Sequence, residues 1–223
     1  MKQLLLLGDS TCSDKKDETR RPEMGWGETI GQYLADGWIV DNRALNGRST
    51  KSFIDEGLFE SALEAANNGD AAIIQFGHND NKPDPLRGTD PFGSYADNLA
   101  YMAGKLMEKG VSVYFITSIS RRHFTEDGTL IYTHGDYPAA MKYAGCKLGI
   151  PVIDLSTITM IELQKMGELE SRKLYMYFEK GELDKFPEGK IDNTHLKKAG
   201  AEWISRLICE ELLKLCVKPN FLK

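Results

Sequence analysis

Short, continuously apolar runs alternate along this chain with stretches in which apolar residues recur every three or four positions. Residues 3 to 7, "QLLLL", read as a first buried strand, and Gly8 to Thr11 as the loop at its C-terminal end. "WIVDNRAL", "AAIIQFG" (71 to 77), "VSVYFITS" (111 to 118) and "IPVIDLS" supply further strands. "GWGETIGQYLAD" sets Trp26, Ile30, Tyr33 and Leu34 at helical spacing. "GRSTKSFIDEGLFESALEAANNGD" reads as loop, then helix, then a break. From Tyr95, Leu99, Met102, Ala103, Leu106 and Met107 share a helical face that Lys109-Gly110 closes. Helices are also expected over 137 to 148, with Pro138 in the first turn, and over about 156 to 178. "GELDKFPEGKIDNTH" reads as a loop before a closing helix, "LKKAGAEWISRLICEELLKL". Residues 12 to 24, 81 to 94 and 119 to 136 read as loops, the first on the surface.

Strands alternating with helices predict a parallel sheet covered on both faces, hence a three-layer α/β/α domain. The 223 residues fit one domain spanning 1–223, and there is no internal repeat or linker-like stretch. In such folds functional groups gather outside the C-terminal ends of the strands. That rule directs attention to Gly8–Thr11, residues 44 to 49, Gly77–Asp80, and the loops after the fourth and fifth strands.

Ser10 admits three readings: a nucleophile, a phosphate-loop residue, or a helix cap or turn residue. The phosphate loop is excluded, because no G-x-x-x-x-G-K-[ST] is present. Neither a G-x-G-x-x-G nor a G-x-S-x-G follows the first strand. In "IDNTHLKKAG", Asp192 and His195 are three apart, a spacing at which side chains on a helical turn or tight loop can meet. The carboxylate could then orient the imidazole while the other ring nitrogen takes a proton from a serine. The plain alternative is a surface or capping histidine. "QFGHND" offers Asn79, whose amide could stabilise an oxyanion or only close a turn. "NGRST" offers Gly47, where the backbone N–H can approach a ligand closely. Ser10 N–H, Gly47 N–H and the Asn79 amide together could form a three-donor oxyanion hole. His78, Asp80, Asp192 and His195 are ligand-type residues, but no third soft ligand stands nearby, and neither metal nor cofactor is expected.

These blocks resemble those of the SGNH hydrolases, also called the GDSL family. "GDST" resembles its Gly-Asp-Ser block, "NGRS" its glycine block, "GHND" its Gly-x-Asn-Asp block and "DNTH" its Asp-x-x-His block, all in family order over residues 8 to 195. "GWGE", "GRSTKSF", "RRHF" and "HGDYPAAM" further resemble the rhamnogalacturonan acetylesterase branch. The resemblance implies a five-stranded parallel sheet between helical layers, as in flavodoxin-like folds. It implies a catalytic set of Ser10, Asp192 and His195, an oxyanion hole of Ser10, Gly47 and Asn79, and release of acetyl groups from pectic rhamnogalacturonan. Asp9 and Asp80 would then order their loops. Asn46 stands where the family commonly has glycine or alanine and could trim the acyl pocket. Arg48, His78, Arg121, Arg122, His123 and His134 are candidates for a substrate rim, with arginines suited to galacturonate carboxylates. The alternative for Arg121-Arg122 is a solvated basic pair. Trp26 reads as a packing anchor rather than a sugar platform.

Composition narrows this only a little. A net charge of -5 argues against a nucleic-acid surface. No apolar stretch approaches membrane-spanning length, and the short run after Lys2 is not a signal peptide. The four cysteines form no CxxC, so free thiols and a cytoplasmic setting are expected, or secretion if a leader was removed. An acetylated carbohydrate is the expected partner. The sequence leaves open esterases of xylan or small acetylated compounds, a lipase or thioesterase, a non-catalytic carbohydrate-binding protein, and the oligomeric state.

Overall fold

The computed structural model describes residues 1–15 and 21–223. Five parallel strands form its central sheet: β1 (Lys2–Gly8), β2 (Trp38–Asn42), β3 (Ala71–Gln75), β4 (Ser112–Ile116) and β5 (Val152–Ile153). Their order is β2-β1-β3-β4-β5, so β1 is internal. Along β1, Leu4 and Leu6 join one hydrophobic cluster while Leu5 and Leu7 join another. All four leucines are fully buried, which explains the unbroken apolar run: both faces of the strand are covered. Each such burial stabilises by about 1.5–3 kcal/mol.

Helices α1 (Thr50–Asp55), α2 (Leu58–Ala65), α3 (Ala96–Glu108) and α4 (Tyr137–Leu148) contribute Phe53, Phe59, Leu99, Met102 and Met141 to the Leu5/Leu7 cluster. Helices α5 (Leu155–Ser171) and α6 (Lys198–Leu212) contribute Leu155, Leu163, Ile204 and Ile208 to the other. The three-layer α/β/α arrangement is therefore present.

Three expectations about elements need correction. "GWGETIGQYLAD" is not one helix but two short 3-10 turns, Trp26–Glu28 and Ile30–Tyr33. Its bonds close over three residues, from Glu28 N–H to Gly25 O, Thr29 N–H to Trp26 O and Leu34 N–H to Gly31 O, while Trp26 N–H and Gly27 N–H tie the segment to Thr11 O and Cys12 O. A side chain at Gly25 would meet Ser13 O at 2.2 Å, so only glycine allows this approach. The segment from Arg172 onward leaves helix α5, makes a 3-10 turn (Arg172–Leu174) and becomes strand β6 (Tyr175–Phe178). Its partner is β7 (Lys190–Leu196), which takes the end of the stretch expected as a loop and the first residue of the expected closing helix; the pair is antiparallel and separate from the main sheet. Aromatic "YMYF" suits a strand, but it sits at the end of a helical-period run that hides it. Finally, Cys12, Ser13, Lys15 and Glu23 are buried, so residues 12 to 24 are no simple surface loop; 16–20 lie outside the described residues.

Candidate active site

Gly8 ends β1 where a Cβ would lie 2.9 Å from Gln75 O of β3. The next residues turn sharply, with Cys12 N–H and Ser13 N–H both donating to Asp9 O. Asp9 is fully buried. Its Oδ1 accepts from Thr11 N–H at 2.9 Å and Thr11 Oγ1 at 2.8 Å, and its Oδ2 faces His78 Nδ1 at 3.1 Å. Burial alone would raise this carboxyl, but the His78 ring and the Thr11 donors outweigh it and hold the pKa at about 2. The expected ordering of the loop by Asp9 is what these bonds do.

Ser10, only 8% exposed, meets the β6–β7 hairpin. His195 Nε2 lies 3.0 Å from Ser10 Oγ, and His195 Nδ1 lies 2.9 Å from Asp192 Oδ2. Asp192 Oδ1 accepts the backbone N–H groups of Thr194 and His195, each at 3.0 Å. Burial opposes its charge, yet the His195 ring and these donors hold it well below the usual carboxylate range. Asp192 pairs with Met176 and Leu196 with Tyr175, so residues 193 to 195 bulge out between adjacent positions of β6. The expected i, i+3 meeting thus occurs on a bulged strand, not a helical turn. Arg122 N–H donates to Asn193 O at 2.8 Å and fixes the bulge.

Gly47 has φ of 78°, in the left-handed region. Asn79 Nδ2 donates one hydrogen to Arg48 O at 3.0 Å, which leaves its second N–H unspent in that bond. Beneath these groups lies Lys15, whose side chain is fully buried. Its Nζ contacts Ser10 O (2.6 Å), Ser13 Oγ (2.9 Å), Asn46 Oδ1 (2.6 Å) and Glu23 Oε1 (3.0 Å). One ammonium therefore joins the Ser10 loop to the Gly47 loop. A lone lysine in a polar stretch carries no sequence signal of this, because the signal is burial. Gln75 was missed for the same reason: its Oε1 accepts from Trp26 Nε1 at 2.8 Å and lies 3.2 Å from Thr11 Oγ1.

Most of the residues expected at a substrate rim are engaged by other protein groups or buried. Asn46 turns its Oδ1 onto Ser13 and Lys15. Arg48 pairs with Glu56 at 2.6 Å. His78 is buried between Asp9 and the Ile119 carbonyl, 3.1 Å from its Nε2. Arg121 donates to Thr133 O and His78 O. Arg122 is buried, donating to Glu168 O and lying 5.2 Å from the Tyr177 ring centroid. His134 is 1% exposed, edge-on to His78, and burial drives its pKa to about 2. Of this group His123 is exposed, and Asn46, Arg48 and Arg121 are half-buried. Trp26 is fully buried, a packing anchor as read. Asp80 Oδ1 accepts from Thr50 N–H and Oγ1, ordering its loop against α1. A cleft of about 560 Å³ lies along β2, walled by Asp14, Glu28, Trp38 and Asn42 among others; Ser10, Asn79 and His195 are not in its walls. Among the described residues no cluster of three or more His, Cys, Asp or Glu is placed to hold a metal, and no helix is long and apolar enough to cross a membrane.

A hydroxyl, an imidazole and a carboxylate in one line, at the C-terminal edge of a parallel sheet, have the form of a hydrolase of the nucleophile–histidine–carboxylate kind. The chain belongs to the GDSL-like lipase/acylhydrolase family, whose model matches residues 6–203, and it is a carboxylic ester hydrolase. It is 40% identical over 213 residues to the rhamnogalacturonan acetylesterase RhgT of Bacillus subtilis, covering 96% of this chain and 90% of that one. Among solved structures, the YxiM protein of Bacillus subtilis superposes with a TM-score of 0.79 at 23% identity, over 95% of this chain and 56% of that one. An acetyl-xylooligosaccharide esterase of Geobacillus stearothermophilus, Axe2, gives 0.68 at 16% identity, over 98% of this chain and 97% of that one.

Proposed function

We propose that this protein removes acetyl groups from rhamnogalacturonan or its oligosaccharides, using Ser10 as nucleophile, His195 as general base and acid, and Asp192 as the carboxylate that orients the imidazole. The observation that carries the chemistry is the line from Ser10 Oγ to His195 Nε2 to Asp192 Oδ2, at 3.0 and 2.9 Å. The 40% identity to RhgT supports the substrate.

His195 Nε2 takes the Ser10 proton as Oγ attacks the acetyl carbonyl. Asp192 faces the imidazolium that forms, its charge kept by the donors on its other oxygen. The N–H groups of Ser10 and Gly47 and the free N–H of Asn79 receive the oxyanion. His195 then protonates the sugar oxygen as the C–O bond breaks, leaving acetyl on Ser10. Water attacks that ester, giving its proton to His195, and acetate leaves with Ser10 restored.

The test is acetate release from acetylated rhamnogalacturonan oligosaccharides, acetylated xylooligosaccharides, and acetyl, butyryl and octanoyl esters of 4-nitrophenol. The expected order has the highest kcat/KM on rhamnogalacturonan among the carbohydrates and on acetyl among the acyl groups. A preference for octanoyl would make the protein a lipase-type hydrolase. A preference for xylooligosaccharides would move the substrate and leave the chemistry standing.

A further inference from the structure

The turn that carries Gly47 has a weakness. Arg48 N–H donates to Leu45 O at 3.3 Å, so residues 45 to 48 form a turn with Asn46 and Gly47 at its centre. Gly47, at φ 78°, has the positive φ that a type II turn needs at its third position. Type I and type II turns differ mainly by a flip of the central peptide, here Asn46–Gly47. A flip would turn the Gly47 N–H away from the direction it now holds. A glycine resists that exchange least of all residues, since both signs of φ are open to it.

The Arg48 side chain opposes the flip. Its Nη1 donates to Asn46 O at 3.0 Å. In a trans peptide the C=O and N–H point in opposite directions, and the cis bond among the described residues is Arg21–Pro22. Holding the Asn46 oxygen therefore fixes where the Gly47 N–H aims. The same residue's main-chain oxygen accepts from Asn79 Nδ2 at 3.0 Å, which orients a second donor. The guanidinium is itself held by Glu56 Oε2, 2.9 Å from Nε and 2.6 Å from Nη2. Glu56 is the C-cap of α1, the helix that begins directly after this turn.

We propose that Arg48, clamped by Glu56, is a positioning residue that holds the Asn46–Gly47 peptide in the orientation that aims the Gly47 N–H at the oxyanion. This rests on the proposed function, in which Gly47 and Asn79 are oxyanion donors. It replaces the reading of Arg48 as a contact for galacturonate carboxylates, because the guanidinium is committed to Glu56 and Asn46 O. The pair is partly exposed, with side chains 32% and 43% accessible, and contributes little to global stability. Its loss should therefore show in catalysis rather than in folding.

The experiment compares Arg48→Met, Arg48→Lys and Glu56→Gln with the parent on neutral 4-nitrophenyl acetate and on an acidic acetylated rhamnogalacturonan oligosaccharide, with thermal unfolding of each. The expected result for Arg48→Met is a fall in kcat of about tenfold or more on both esters, with KM kept, since the loss is of transition-state stabilisation. Arg48→Lys, which keeps one donor for Asn46 O, recovers part of kcat. Glu56→Gln, which leaves the arginine but loosens its clamp, falls between. Unchanged kcat on the neutral ester would overturn the proposal. So would a raised KM confined to the acidic substrate, which would return Arg48 to substrate contact. Should Arg48→Met not fold, Glu56→Gln carries the test by the same split. Ser10→Ala in parallel keeps the two readings apart. If it stays active, the proposed function fails; if it is dead while Arg48→Met keeps its kcat, only the positioning role fails.

Discussion

Ser10 stands one residue beyond a fully buried aspartate, and every side chain from Leu4 to Leu7 before it is buried too. Its hydroxyl is placed by an internal strand, by the Asp9 bonds behind it and by Lys15 on its carbonyl. The oxyanion assignment predicts that Asn79→Ala loses roughly a hundredfold in kcat, about 3 kcal/mol of barrier, with KM retained; steady-state kinetics on 4-nitrophenyl acetate checks it. Lys15→Met makes a different demand. It leaves Glu23 buried without its cation, a change that typically costs about 3–5 kcal/mol. Adding Glu23→Gln should restore part of the urea midpoint but not the activity, because Ser10 O and Asn46 Oδ1 would still lack their shared donor. Full recovery of both would reduce Lys15 to a structural role. Ser10, Gly47, Asn79, Asp192 and His195 could be singled out in the sequence because each sits in a small polar cluster next to a readable element. The structure brings Ser10, His195 and Asp192 into one bonded line. Lys15 and Gln75 could not be found that way: nothing local marks a lysine or glutamine as buried. The reverse holds at the expected rim: Arg48, His78, Arg121 and Arg122 look solvent-facing in a string yet meet backbone carbonyls, and His134 is buried.

At the scale of elements, the β6–β7 hairpin matters most. It carries Asp192 and His195, yet it lies outside the main sheet and was read as the end of a helix plus a loop. The bulge at 193 to 195 explains the difference, because it breaks the period-2 pattern by which a strand is recognised. By contrast, α4 runs over 137 to 148 as its apolar spacing indicates, with Gly149 in the left-handed conformation just past its end. The hairpin is seated by helix α6, where Gly200 faces the carbonyl that precedes β6. A Cβ there would lie 2.1 Å from Leu174 O and 3.0 Å from its carbon, both backbone atoms that cannot swing aside. Gly200→Ala is therefore expected to destabilise the protein by about 1–3 kcal/mol, seen as a lower urea midpoint. It should also lower kcat in the fraction still folded, because the hairpin is displaced with its histidine. A stable, fully active Gly200→Ala would show that the seat is softer than the packing implies.

Over the whole molecule, the parallel sheet and its two helical layers were readable from the chain, because buried parallel strands leave continuous apolar runs and helices leave a 3.6 period. The ends of the strands were not: β5 is only Val152–Ile153 where a longer run was read. One buried group links the site to global stability. Burial raises the Asp80 carboxyl from its ordinary 3.8 to about 7, against the donors of Thr50 and Thr89. Between about pH 4 and pH 7 the folded protein thus holds a proton that the unfolded chain has released. The contribution of this group to stability falls as pH rises through that window, against that of His134, which stays neutral in the fold and makes stability rise with pH up to about 6.5. Asp9 acts with the opposite sign: its pKa of about 2 gives stability that is present above about pH 4 and lost on acidification. Between urea midpoints taken near pH 5 and near pH 8, the change in Asp80→Asn should lie further towards stability at pH 8 than the change in the parent. An equal change in both would place the pH dependence elsewhere.

Covalent capture at Ser10 tests the account's central claim most directly. The folded protein is treated with a fluorophosphonate, digested, and the modified peptide sequenced by mass spectrometry, with acetate release followed in parallel. The account predicts a single adduct on Ser10 whose formation tracks loss of activity, and no adduct or turnover in Ser10→Ala, a fall of roughly 10⁴-fold or more. Acetate release that survives in Ser10→Ala, or inactivation that tracks an adduct on another residue, would contradict it.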